Sequence, residues 1–332
     1  EDLAGQDEPI VRDQEYRRNT ILPDTEAAGK PFKDISEIPT GQVEVKDDTK
    51  TVGRFVFTTE KNPHLPFNIA CDVTDDGITA LLPAGIDLSA LVPEFTYYGK
   101  ELKYQNATIE SGVNSFNLSD PLTLTAVAND NSTKDITVTI ETLNTGLPSL
   151  AVTTDGYEEI ADRENYLNTK FYLGGGDVEV CPYAPETSML VDATIKGRGH
   201  SSWLSPKKGY RIKLNEKAKL LDLSNSRHWV LVSNYEDKTL LRNALAAYLS
   251  EAAGSEYVMK VRQVDLWLNG QFWGNYSLIE KIEIEGDRVA ITDYKDAVIA
   301  NNGEIPPANQ VGYLLEFDAH GAQPGSRLRR QP

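Results

Sequence analysis

The chain has 332 residues, enough by length for two or three domains, with 40% hydrophobic and 25% charged residues, which excludes wholesale disorder and a disulfide-built miniprotein. A net charge of −17 argues against general nucleic-acid binding or adhesion to anionic membrane, since both need a basic surface that displaces counterions. No apolar run approaches the roughly 20 residues that span a bilayer, so no transmembrane segment is expected. Cys71 and Cys181 leave open a disulfide or two buried thiols, with free thiols preferred.

Residues 1–42 carry many charges, several Pro and Gly and no sustained periodicity, as in "EDLAGQDEPIVRDQEYRR", and read as a linker or tether. From 43 to 145 the pattern changes to short β-prone runs, "RFVFTTE", "GITALLP", "EFTYYG", "LTLTAVA" and "DITVTIET", separated by turn chemistry. That spacing predicts an antiparallel β-sandwich. Between the last two runs, "NDNSTK" at 129–134 offers oxygens to a cation but lacks the spaced acids and closing Glu of a calcium loop, so a polar hairpin turn is expected. "NTGLPSL" at 144–150 marks the next boundary.

Beyond it, "SLAVTTD" and "KFYLGGG" read as strands, followed by "VDATIKGRG", "GYRIKL" and "HWVLVSN". A helix is predicted over Asp237–Ala253, because Leu241, Leu245, Tyr248 and Ala252 recur on one face, with Asp237 as N-cap and Gly254 as stop. "VRQVDLWL" and "QFWGNYSLIE" flank Asn269-Gly270, a dipeptide that accepts the positive φ angles of a type I′ hairpin turn. The order strand, strand, strand, helix, strand, strand is that of a protein-kinase small lobe, although element order alone is a slight warrant for activity.

The stretch "IKGRGHSSWLSPKKGYRIKL" at 195–214 concentrates cations. From 196 to 219 stand Lys196, Arg198, Lys207, Lys208, Arg211, Lys213, Lys217 and Lys219 against the single acid Glu216, so a local anion site is plausible in an otherwise acidic protein. Gly197 and Gly199 permit a tight turn and close approach of a ligand to backbone N–H groups, while Arg211 and Lys213 would share the strand face opposite Tyr210, Ile212 and Leu214. The spacings of a dinucleotide fold and of a P-loop are both missing. On composition alone a solvated basic hairpin is favoured about two to one. His200-Ser201-Ser202 lacks the second glycine of a nucleophile turn, and the four histidines show no paired metal-ligand spacing with one another or with the cysteines, so no metal site is expected from them.

Taken together, "IKGRGHSSW", "PKKGYRIKL", "HWVLVSNYEDKTLLRNALAAYL", "VDLWLNGQFWGNYSLIEKI" and "GYLLEFD" resemble the spore coat protein H (CotH) kinase family over 147–318. The resemblance implies a secreted or surface-associated atypical protein kinase that uses ATP with Mg²⁺ to phosphorylate Ser or Thr of coat or surface proteins. It matches Gly197, Arg198, Gly199, His200, Ser201, Ser202 and Trp203 to the family's glycine-containing loop, and Lys207, Lys208, Arg211 and Lys213 to its basic second strand. Asp237, Arg242 and Asn243 match its helix motif and Glu280 the acid closing its fifth strand. The nucleotide- or phosphate-binding set so implied is Gly197, Arg198, Gly199, His200, Ser201, Ser202, Lys208, Arg211, Lys213, Arg242 and Glu280, with Lys213 or Arg211 the foremost phosphate contacts. Plainer roles stand beside these: Asp237 as a cap, Arg242 in an ion pair, Glu280 balancing Lys281.

The third strand carries no lysine, so correspondence with conventional kinases is not positional. The family's catalytic residues are expected on a larger C-terminal lobe after 318, whereas 319–332, "AHGAQPGSRLRRQP", read as an atypical tail. The chain as given is therefore expected to be an inactive fragment. The region ahead of the kinase-like part resembles Ig-like modules of surface proteins from Bacteroidetes-type bacteria. The fold expected is mixed β and α+β: an N-terminal Ig-like antiparallel β-sandwich, then the kinase-like small-lobe α+β region over 146–318. A secreted or cell-surface location follows, with lipid anchoring through a preceding segment as one form of it. The rival expectation is a non-enzymatic surface protein whose two modules bind protein or glycan.

Overall fold

The structure is a computed structural model and describes residues 46–285 and 288–307; the expected linker at 1–42, the "GYLLEFD" motif and the tail at 319–332 lie outside the described residues.

The first half builds two sheets around one core. β1 (Thr51–Phe57), β2 (Ile69–Ala70) and β5 (Glu94–Tyr98) form a three-stranded sheet in the order β2-β1-β5. β3 (Asp72–Thr74), β4 (Gly77–Pro83), β6 (Glu101–Tyr104), β7 (Ala107–Thr108), β8 (Leu122–Val127) and β9 (Thr133–Leu143) form a six-stranded sheet in the order β3-β4-β9-β8-β6-β7. Alternation does the work expected of it: Ile136, Val138 and Ile140 of β9 point inward and pack with Phe55, Phe57, Leu82, Leu102 and Leu124. The predicted "NDNSTK" turn links β8 to β9, with Asn131 at φ +66° and the Ser132 N–H donating to Asp130 Oδ1 at 2.8 Å. One expectation needs correcting, because β4 pairs with β9 in parallel. The face a strand buries is written in its alternation, but its partner is not.

The second half is a closed barrel. β10 (Ser149–Thr154), β11 (Leu167–Gly174), β12 (Met189–Arg198), β13 (Gly209–Lys219), β14 (Asn225–Val232), β15 (Val261–Leu268) and β16 (Gln271–Glu280) follow one another as β10-β11-β12-β13-β14-β16-β15, and a parallel β10–β15 pairing closes the ring. The strand, strand, strand, helix, strand, strand order is present as β12-β13-β14-α1-β15-β16, with α1 at Arg242–Ala252. A second short helix, α2, spans Tyr294–Ala300. Tyr210, Ile212, Leu214, Trp229, Leu231, Val264, Leu266, Tyr276 and Leu278 fill the interior, so the barrel is a packed core.

Asn269 and Gly270 take φ +51° and +83°, the predicted tight turn between β15 and β16. That turn presses into the first half. The Ala70 N–H donates to the Gly270 carbonyl at 3.2 Å, and a Cβ at position 270 would lie 2.7 Å from the same nitrogen. Phe67 packs between Tyr172 and Trp267, with centroids at 5.4 and 5.8 Å, and the Trp267 indole N–H donates to the Leu81 carbonyl at 3.0 Å. Both cysteines are free and buried, and burial pushes each thiol pKa up.

The helix is shorter than predicted and packs by another face. Leu240 at φ +60° delays its start, so Asp237 does not sit at the N-cap; instead Asp237 Oδ2 accepts the N–H of Arg242 across the turn at 2.9 Å and Oδ1 accepts that of Thr239. Ala244 and Ala247 pack with Val230, Val232, Val261, Met259 and Ile279 on the outside of the barrel. Leu241, Leu245, Tyr248 and Leu249 remain more than half exposed. Small side chains let the helix backbone approach the sheet, and that proximity decides the contact over the larger apolar stripe.

Candidate functional site

A cleft of about 240 Å³ opens between the β12–β13 connection and the start of α1, at the end of the strands that also carries the Asn269–Gly270 turn. Arg198, Ser202, Ser205 and Gly209 form one wall, and Val232 to Asp237 with Arg242 and Asn243 form the other.

Arg198 and Arg242 are the cations that line the cleft, whereas Arg211 and Lys213 lie outside its lining on β13. With Tyr210, Ile212 and Leu214 turned inward, Arg211 and Lys213 lie on the outer face, as the period-two pattern required. Arg198, at the end of β12, lies near Arg211: burial and then the like charge of Arg211 lower the Arg198 pKa. Arg211 Nε is buried without a hydrogen-bond partner, and Arg198, Arg211 and Lys213 have no carboxylate partner among the described residues. Two crowded, partly desolvated guanidinium groups without a counter-charge are costly, and an anion would relieve them.

The glycines serve the loop's own packing. A Cβ on Gly197 would fall 2.3 Å from the Trp203 ring and 2.4 Å from the Asp162 carbonyl, so Gly197 leaves room for Trp203 to fold back on β12. Gly199 turns at φ +114°, and its carbonyl accepts from Arg163 Nη1 at 2.8 Å. Ser201 to Trp203 make one 3₁₀ turn. Ser202 lines the cleft, whereas His200 and Ser201 are exposed beside it. Lys208 Nζ donates to the Trp203 carbonyl at 2.6 Å and stands over its ring at 5.2 Å, binding the loop together. Arg242 lines the cleft with its side chain largely exposed, 3.6 Å from Asp237.

Glu280 is placed elsewhere. It is 4% exposed, closes the far end of β16 and accepts the Ser224 N–H at 2.6 Å; it does not line the cleft, and Lys281 pairs with Glu283 instead. Sequence reasoning missed the polar floor. Asn243 Nδ2 donates to Asn234 Oδ1 at 2.8 Å, Asn234 Nδ2 to Ser277 Oγ at 2.7 Å, and Gln263 Nε2 to Ser277 Oγ at 3.1 Å. Asn234 holds φ +50°, and "SNYEDKT" is the turn-rich signal that marks it. Glu236 also lines the cleft and accepts from Ser205 Oγ at 3.2 Å.

Asp237 spends both carboxylate oxygens on Thr239 and Arg242, and those hydrogen bonds, that from the Thr239 side chain first, hold its pKa below the ordinary range. Glu236 is thus the acid of this cleft with room for a further ligand.

No curated protein matches the chain. Among solved structures, it is similar to a protein from Bacteroides fragilis described as a candidate secreted protein, at 13% identity and TM-score 0.21, covering 29% of this chain and 98% of that one. It is also similar to a candidate glycoside hydrolase from Bacteroides thetaiotaomicron, at 13% identity and TM-score 0.23, covering 69% of this chain and 56% of that one. The model of the family described as CotH kinase protein matches residues 195–324, a span that takes in the paired arginines, the cleft and α1, and over those residues the chain is similar to the CotH family.

Proposed function

We propose that the cleft is the phosphate-binding part of a nucleotide site in a kinase-like protein. The observation that carries this reading is the Arg198–Arg211 pair, of which Arg198 lines the cleft and Arg211 stands beside it, crowded, partly buried and without a carboxylate partner among the described residues. Phosphoryl transfer depends largely on positioning and neutralising phosphate charge, and two guanidinium groups are suited to that because each offers fixed N–H forks to phosphate oxygens. Ser202, Asn243 and the N–H groups of the connection add neutral donors.

On this reading the donor is ATP with Mg²⁺, and the acceptors are Ser or Thr hydroxyls of surface or coat proteins. The CotH match supports that assignment. A secreted or cell-surface setting belongs to the same proposal, as does an Ig-like character for the two-sheet region ahead of the barrel.

The test is calorimetric titration of the 332-residue chain with ATP·Mg²⁺ and with inorganic tripolyphosphate. Saturable tripolyphosphate binding that weakens at least tenfold in R198A/R211A, about 1.4 kcal/mol, is expected. Binding unchanged in the double variant, or missing from the wild type, overturns the reading. ATP·Mg²⁺ binding tighter than tripolyphosphate binding would extend it from phosphate to nucleotide.

A further inference from the structure

The connection that forms one wall of the cleft is tied to the barrel by a residue outside the cleft. Lys207 Nζ donates to the Asn275 carbonyl of β16 and lies 4.4 Å over the Tyr276 ring. The Tyr276 hydroxyl returns a hydrogen bond to the Lys208 carbonyl at 2.9 Å. Residues 207 and 208 are thereby held to adjacent residues of one strand, with Ser205 on one side and Gly209 on the other, both in the cleft wall.

This tie has an energetic cost. Burial lowers the Lys207 pKa to about 8, and the nearby Asp265 only partly opposes the shift. Asp265 is itself buried and accepts a hydrogen bond from Thr145 in the segment leading into the barrel. A lysine buried against a carbonyl and an aromatic face, with no direct ion pair among the described residues, is an expensive way to stabilise a barrel. The backbone it holds is the one that presents Ser202, Ser205 and Gly209 opposite α1.

We propose that Lys207 is a positioning residue: it fixes the β12–β13 connection against β16 and so sets the width of the anion cleft. The inference rests on the phosphate reading for its functional consequence, while the clamp itself is independent of it. Neither the glycines nor the arginines provide this restraint, since Gly197 and Gly199 shape the loop internally, Arg198 lines the cleft and Arg211 lies on the outer barrel face.

The experiment compares wild type, K207M and K207R in the full chain by hydrogen exchange and by tripolyphosphate titration. In K207M, exchange at residues 199–209 should speed up at least tenfold while that of β10 stays within twofold, and affinity should fall at least fivefold. K207R, which keeps the cation and the donor, should recover most of both. If K207M does not fold, K207Q, which keeps a donor without the charge, replaces it with the same expected direction. Wild-type exchange at 199–209 in the neutral variant overturns the clamp. Faster exchange with unchanged affinity overturns its role in the cleft. If the wild type binds no tripolyphosphate, the phosphate reading fails alone, and the exchange measurement still decides whether Lys207 is a clamp.

Discussion

The sandwich contact and the cleft are built on opposite terms. At the contact, Trp267, Phe67, Tyr172 and Phe272 form one aromatic cluster, the Trp267 indole N–H is hydrogen-bonded, and Gln271 Nε2 reaches Asp72 Oδ1 at 2.6 Å. Beside the cleft, Arg198 lies near Arg211 and a helix leaves four large apolar side chains exposed. Packing and cation crowding thus fall on different strands of a single barrel, consistent with functional sites departing from local rules that the rest of a fold obeys.

The largest expected effect tests the sandwich contact. Trp267→Ala should cost about 3–5 kcal/mol, the range for a large aromatic removed from a packed core, measured by urea denaturation. Because Trp267 belongs to the same core cluster as Phe55 and Leu82, both halves of the wild type should unfold in one transition. Two separate transitions would break the comparison by showing that the sandwich contact carries little.

Next comes Gly197→Ala, where the new methyl group meets both a ring and a backbone carbonyl. A loss of about 1–3 kcal/mol is expected from overpacking, together with a change in Trp203 fluorescence. A neutral result would mean that the loop moves aside freely and that the cleft wall is not fixed by this packing.

The acid limb of stability provides a smaller, signed effect. Burial pushes the Glu283 carboxyl up, but its contacts with Lys281 and His228 outweigh burial and leave it below the ordinary 4.5. A depressed carboxylate stabilises the fold above its unfolded pKa, and that contribution is lost as pH falls from about 4.5 through the folded value. Glu283→Gln should flatten this part of the stability–pH curve; an unchanged slope would assign the acid sensitivity to other groups.

The smallest effect belongs to the exposed helix face. Leu245→Ala should change stability by no more than about 0.5 kcal/mol, as at other exposed positions, whereas Ala247→Leu should be clearly destabilising because it enlarges the side chain against the barrel. The reverse ranking would restore the large apolar stripe as the buried one.

Much of the fold was legible in the residues. "VRQVDLWL", Asn269-Gly270 and "QFWGNYSLIE" coincide with β15, its turn and β16, because a tight turn with two positive φ angles has few sequence solutions. Beside the cleft, the outward Arg211 and Lys213 were legible from alternation. Asn234, Ser277 and Gln263 were not, since they lie far apart in the chain and meet only when β14, β15 and β16 are side by side. Glu280 shows the converse: a strand-end acid beside a lysine suggested a surface or site role, but pairing of β14 with β16 carries it to the buried Ser224 N–H.

By itself the sequence determined which faces of the strands are apolar, where the sharp turns fall and which stretch holds the excess of cations, because these depend on neighbours within a few residues. The tertiary structure decided the parallel β4–β9 and β10–β15 pairings, the packing of α1 through Ala244 and Ala247, and the approach of Arg198 to Arg211. Those outcomes depend on closing the barrel and bringing distant segments into contact, where backbone proximity and burial outweigh local periodicity.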